Sequence, residues 1–252
     1  MHIGLIGGIG PAATEYYYRA LVKLYAQAEK RLELTIANAE ARELLQHLEA
    51  GESVAQAAIF AEYIDRLKAG GCAAVALTSI GAHFCIKDLA AISSLPLISG
   101  LTALEAYFST TGIERVGVLG TRFVIEPRLY GLSTVEVVTL PADELQAAHA
   151  HYIAMAFAGR ATHEQRAFFE NAATQLIDVH GAKAVVLGGT DLLLAFDKPD
   201  YPYRVVDCAQ VHAEAIARAD WGKRSRTDSA QPRIGWTPPG RPIRGLMAGF
   251  DA

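Results

Sequence analysis

Along this chain, short runs made wholly of apolar residues alternate with longer stretches whose apolar positions recur every three or four residues. The first kind predicts strands covered on both faces, and the second predicts amphipathic helices. The runs place strands at Ile3–Ile6, Thr35–Asn38, Ala74–Thr78, Leu97–Ser99, Val116–Leu119, Glu136–Thr139, Ala184–Leu187 and Val205–Asp207. Between them, helical patterns cover Ala12–Arg31, Ser53–Ala69, Thr102–Thr111, Ala142–Ala158, His163–His180 and Cys208–Ala219. Gly70-Gly71 and Gly181 punctuate two helix ends, where glycine accepts the left-handed backbone that closes a helix. Strands and helices in this order predict an α/β fold with parallel sheet.

The pattern also repeats. Ile3-Gly4-Leu5-Ile6-Gly7 resembles Val116-Gly117-Val118-Leu119-Gly120 at a spacing of 113 residues. Ala74-Val75-Ala76-Leu77 resembles Ala184-Val185-Val186-Leu187 at a spacing of 110. Two matches in the same order at nearly one spacing imply two pseudo-symmetric parallel-sheet α/β domains. The first half is expected over residues 1–100, completed by a helix over about 208–220, and the second over 101–207. A ligand is expected between them, at the C-terminal ends of the strands. From Lys223 onward the composition turns polar and proline-rich, so residues 221–252 read as a mobile tail.

Composition narrows the function. The 252 residues are 51% hydrophobic and 20% charged, with a net charge of −4. That excludes a disordered chain and leaves no basic excess for nucleic acid. No apolar stretch is long enough to span a membrane, and the apolar start at His2-Ile3-Gly4 has no basic leader before it. Cys72, Cys85 and Cys208 are odd in number and lack metal-type spacing, which favours a reducing, cytoplasmic setting. Three successive helical tyrosines, Tyr16-Tyr17-Tyr18, point in three directions. At least one must face solvent or a second subunit, so a homodimer is one expectation and core packing the other.

Three stretches can carry chemistry. Gly7-Gly8-Ile9-Gly10-Pro11-Ala12-Ala13-Thr14 links a strand to a helix, where close backbone approach and free N–H groups can cradle a carboxylate or phosphate. Gly8, Gly10 and Ala13 also fit a dinucleotide fingerprint with Glu40 as the ribose acid, and the same glycines can serve a tight turn alone. Thr78-Ser79-Ile80-Gly81-Ala82-His83 ends one buried strand, and Gly188-Gly189-Thr190-Asp191 ends its counterpart. The repeat spacing sets Ser79 against Gly189.

Read in order, these segments resemble one family. The opening glycine loop with Tyr16-Tyr17-Tyr18, Ala82-His83, Leu119-Gly120-Thr121-Arg122, Gly188-Gly189-Thr190-Asp191 and His212-Ala213-Glu214-Ala215 are similar to the aspartate/glutamate racemases over roughly residues 1–219. The resemblance implies two α/β domains around a cleft, a homodimer, no cofactor and no metal. It also implies one cysteine after a strand of each half, one thiolate removing an α-proton and the opposite thiol returning one. Here those positions are Ser79 and Gly189, and the Asn and Thr that follow the first cysteine become Ile80 and Gly81. None of the three cysteines falls on either place. A serine hydroxyl is a poor base unless activated, and glycine offers no group at all.

Ser79, Asp191 and His83 are therefore the candidate catalytic groups, with His83 able to activate Ser79 if the loop brings it close. Gly8, Ile9, Gly10, Ile80, Gly81, Thr121, Arg122, Gly189, Thr190 and His212 are the candidate substrate contacts. The expected function is altered, cofactor-free chemistry on a small carboxylate or amino-acid-like substrate, of isomerase, lyase or decarboxylase type. The alternatives are a carboxylate-binding pseudoenzyme and a racemase with substitute bases.

Overall fold

The computed structural model describes residues 1–8 and 11–224. The chain runs β1 (His2–Gly7), α1 (Pro11–Gln27), β2 (Glu33–Asn38), α2 (Ala41–Ala50), α3 (Ser53–Ala69), β3 (Ala74–Leu77), α4 (Ile86–Ile92) and α5 (Gly100–Thr111). It continues with β4 (Arg115–Leu119), α6 (Arg122–Ile125), α7 (Arg128–Gly131), β5 (Glu136–Val138), α8 (Ala142–Ala158), α9 (His163–Asp178), β6 (Ala184–Leu187), β7 (Val205–Asp207) and α10 (Cys208–Arg224). Short 3-10 turns follow β3 (Gly81–Cys85) and β6 (Thr190–Leu194).

These strands form two all-parallel sheets, ordered β2-β1-β3 and β5-β4-β6-β7. Strands β1, β3, β4 and β6 are the apolar, almost wholly buried runs, as strands covered on both faces must be. Within each half, the central strand of the repeat carries a glycine where a helix comes closest. A Cβ on Gly4 would lie 2.9 Å from a Leu67 methyl of α3, and one on Gly117 would lie 2.7 Å from Leu176 Cβ of α9. The repeated glycine is thus a packing requirement.

Helix α10 joins the two halves. Ala209, Ala213, Ile216 and Ala217 pack with Ile3, Leu5, Tyr17 and Leu21 of the first half, while Cys208 and Val211 pack with Val116, Val118 and Val186 of the second. Helix α5 lies against α10, and α1 lies against both α10 and the turn after β6. Helix α1 thereby reaches the turn that follows strand β6 of the second sheet.

Several expectations are corrected. Leu97–Ser99 is not a strand: Leu97 makes a single bridge to Val75, and Ser99 already accepts from Leu101 N–H as the cap of α5. Helices α2 and α4 fill stretches to which the sequence pattern assigned no element. Glu40 is the N-cap of α2, its carboxylate accepting from Arg42 N–H, so it is not placed to read a ribose. Helix α10 runs through to Arg224, so residues 221–224 belong to it rather than to a tail. Trp221 meets the Tyr25 ring edge-on there. The remaining tail, 225–252, lies outside the described residues.

Candidate functional site at the strand ends

Pairing between strands collects the candidate segments into two groups, one at the end of each sheet. Ile6 pairs with Leu77, and both the Thr78 amide and its hydroxyl donate to the Ile6 carbonyl, at 3.1 and 3.2 Å. The chain then presents Ser79, half-buried, just past the paired ends of β1 and β3. Leu119 pairs with Leu187 in the second half, and Gly188 N–H donates to the Leu119 carbonyl at 2.8 Å. Thr121 and Gly189-Thr190 therefore leave adjacent strands together. Thr78 is hydrogen-bonded within the protein, but the half-buried hydroxyls of Ser79, Thr121 and Thr190 have no hydrogen-bond partner among the described residues. Hydroxyls left open at strand ends are groups that a polar ligand can use.

The second half supplies a group that sequence reasoning missed. A Cβ built on Gly189 would stand 2.3 Å from the Tyr152 hydroxyl oxygen and 2.7 Å from its ring carbons Cε2 and Cζ. Glycine is not needed there for backbone reasons, because its φ of −161° is extended. It is needed for space: a phenol from α8 occupies the side-chain position of residue 189. Tyr152 donates to Asp191 Oδ2 at 2.9 Å, and both side chains are buried. Burial first, and then the Asp191 carboxylate, raise the phenol pKa well above its ordinary value. The partners are 39 residues apart, so no local motif announces the pair.

His83 is not placed to activate Ser79. Gly100 N–H donates to its Nε2 at 2.9 Å, which leaves the proton on Nδ1, and Nδ1 donates to the Ser79 carbonyl at 2.8 Å. The ring caps α5 and pins the Ser79 loop, but both nitrogens are committed. His212 is held in the opposite tautomer. Its Nε2 donates to the Ile98 carbonyl at 2.7 Å, and its Nδ1 accepts the Tyr17 hydroxyl at 2.9 Å. The rings meet edge-on at 5.8 Å. Burial pushes His83 down to about 4 and, with His83 alongside, pushes His212 down to about 3. Both rings are neutral and held by hydrogen bonds within the protein.

Other candidates fall in varied places. Gly8 has a φ of 86°, and its N–H donates to Thr14 Oγ1 at 2.9 Å, so this amide is not open to an anion. Ile9 and Gly10 lie outside the described residues. Ile80 is buried in the core beside Ala103 and Leu104, while Gly81 accepts the Tyr130 hydroxyl at 3.0 Å. The Arg122 guanidinium lies over the Phe123 ring, 4.5 Å from its centre. A further half-buried pair joins the halves: Tyr16 on α1 donates to Asp207 Oδ2 at 2.5 Å, and Asp207 Oδ1 accepts from Ala209 N–H at the start of α10. Burial lifts the Asp207 carboxyl above its ordinary range. A cavity of about 300 Å³ lies behind the Ser79 loop, lined by His83, Phe84, Lys87, Leu101 and Tyr130 among others. Among the described residues, no group of three His, Cys, Asp or Glu is gathered as a metal site.

Comparison with known proteins agrees with this architecture. The model of the Asp/Glu/Hydantoin racemase family matches residues 6–216, and the chain belongs to that family. Its fold is similar to that of a Yersinia pestis protein assigned as an Asp/Glu racemase, with 24% identity, a TM-score of 0.77, and coverage of 88% of this chain and 100% of that one. It is also similar to an aspartate racemase homologue from Pyrococcus horikoshii, at 23% identity and a TM-score of 0.73 over 87% of this chain and 99% of that one. A glutamate racemase from Francisella tularensis, solved with D-glutamate, shares 14% identity at a TM-score of 0.65, covering 88% of this chain and 82% of that one. No helix among the described residues is long and apolar enough to cross a membrane.

Proposed function

We propose that this racemase-family chain binds a small carboxylate at the joined strand ends and handles it, without a cofactor, by chemistry other than two-thiol proton exchange. The observation that carries the reading is Gly189: the position expected to hold the second thiol has no side chain, and the Tyr152 phenol stands in its place. A phenol held protonated by burial and a neighbouring carboxylate can donate or accept a hydrogen bond but does not remove an α-proton near neutral pH. Ser79, Thr121 and Thr190 leave three hydroxyls open to a ligand from the two halves. Reactions that need a polar contact on one face only, of isomerase, lyase or decarboxylase type, remain compatible with such a set.

The second reading, a carboxylate-binding pseudoenzyme, is favoured by His83, whose two nitrogens are both committed, so that it does not serve Ser79 as a base. Both readings require a ligand, so the first experiment is calorimetric titration with malonate, succinate, malate, oxaloacetate, aspartate and glutamate. Saturable binding of at least one is expected. Heats indistinguishable from dilution for all six would remove the proposal.

A further inference from the structure

We infer that Tyr152 is a specificity-determining contact, which selects ligands carrying a hydrogen-bond donor beside their carboxylate. This rests on the reading of the strand ends as a carboxylate site. The geometry is directional. The phenol oxygen lies 2.3 Å from the Cβ position of residue 189, so it stands about where that residue's own head group would stand, at the end of β6 and next to Thr190. Its single proton goes to Asp191 Oδ2, at 2.9 Å. What remains for a ligand is the oxygen's lone pairs, and donation to a carboxylate makes that oxygen a better acceptor. An ammonium or hydroxyl group on the ligand satisfies it. A bare methylene leaves it unpaired, and a second carboxylate meets both its lone pairs and the Asp191 charge behind it.

A site built to receive a donor rejects the analogue that lacks one more strongly than an apolar site rejects an added group, because the buried polar atom is left without a partner. Aspartate, malate and succinate share one four-carbon dicarboxylate frame and differ at a single carbon, which carries an ammonium, a hydroxyl or nothing. They are the natural probes.

The test is calorimetric titration of the intact protein and of Tyr152→Phe with these three compounds. The wild type is expected to bind aspartate or malate at least tenfold more tightly than succinate. Tyr152→Phe is expected to lose that preference, with succinate affinity changed by less than about threefold. A merely structural tyrosine would weaken all three together and leave the ratio intact, which overturns the inference. Equal wild-type affinities for the three would overturn it while leaving the carboxylate site standing, and no binding of any would remove both. If Tyr152→Phe does not fold, 3-fluorotyrosine placed at position 152 reports directly. Its fluorine resonance should move on addition of aspartate or malate and stay still with succinate, and the same shift with all three, or none with any, counts against the contact.

Discussion

Acidification should destabilise this protein chiefly through two buried rings. His83 and His212 are neutral in the native state, with pKa values pushed down to about 4 and about 3 from the ordinary 6.5. In the unfolded chain both take up a proton below pH 6.5. The unfolded state then binds more protons than the native one, so stability is complete above pH 6.5 and is lost as pH falls toward the native values. Each ring favours unfolding by about 1.4 kcal/mol per pH unit below 6.5, which is about 2 kcal/mol per ring at pH 5 and about 4 kcal/mol for the pair. Against a typical total of about 5–15 kcal/mol, that is a large fraction. Asp207 acts with the opposite sign, because burial raises its pKa and the native state gains a proton first on acidification. Comparison with variants isolates the rings. Urea unfolding between pH 7.5 and 5 should give a slope for His83→Gln and for His212→Gln that is flatter than wild type by about one proton each. Identical slopes for the wild type and both variants would refute the assignment of neutral, doubly bonded rings.

Three other substitutions follow from the packing. Gly189→Cys alone should cost about 1–3 kcal/mol by overpacking, since its Cβ would collide with Tyr152, and Tyr152→Ala in the same chain should relieve most of that cost in a denaturation double-mutant cycle. Gly100→Ala should destabilise by a similar amount of about 1–3 kcal/mol, because the new Cβ would stand 2.8 Å from Ile80 Cδ1, 3.2 Å from His212 Nδ1 and 3.3 Å from His83 Nε2. An unchanged melting temperature would contradict the described packing. Ser79→Ala should leave unfolding within about 0.5 kcal/mol of wild type, as its hydroxyl has no hydrogen-bond partner among the described residues, yet weaken carboxylate binding several-fold in calorimetry.

The sequence disclosed what burial forces on it. Strands covered on both faces must be apolar throughout, so Ala74–Leu77 and Ala184–Leu187 were legible as runs, and the glycines at 4 and 117 marked where helices press on the sheets. Leu97–Ser99 misled because an apolar run before a capping serine has the same composition as a strand, and only the start of α5 decides between them. The strand-end positions Ser79, Thr121 and Thr190 were legible from the repeat. The roles of His83 and His212 were not, since each is fixed by partners on other elements: Gly100 for one, Tyr17 and Ile98 for the other. Tyr152 was hidden for the same reason. It reads as one more aromatic on an amphipathic helix until the fold lays it against Gly189.

The most direct measurement of the central claim is solvent deuterium incorporation at the α-carbon of aspartate and glutamate, both enantiomers, followed by proton NMR with the intact protein. With a phenol where the second thiol would stand, and with His83 committed at both nitrogens, no exchange above the protein-free control is expected, even for a compound that calorimetry shows to bind. Clear catalytic exchange with either enantiomer would show that other groups serve as bases at these strand ends, and would contradict the account.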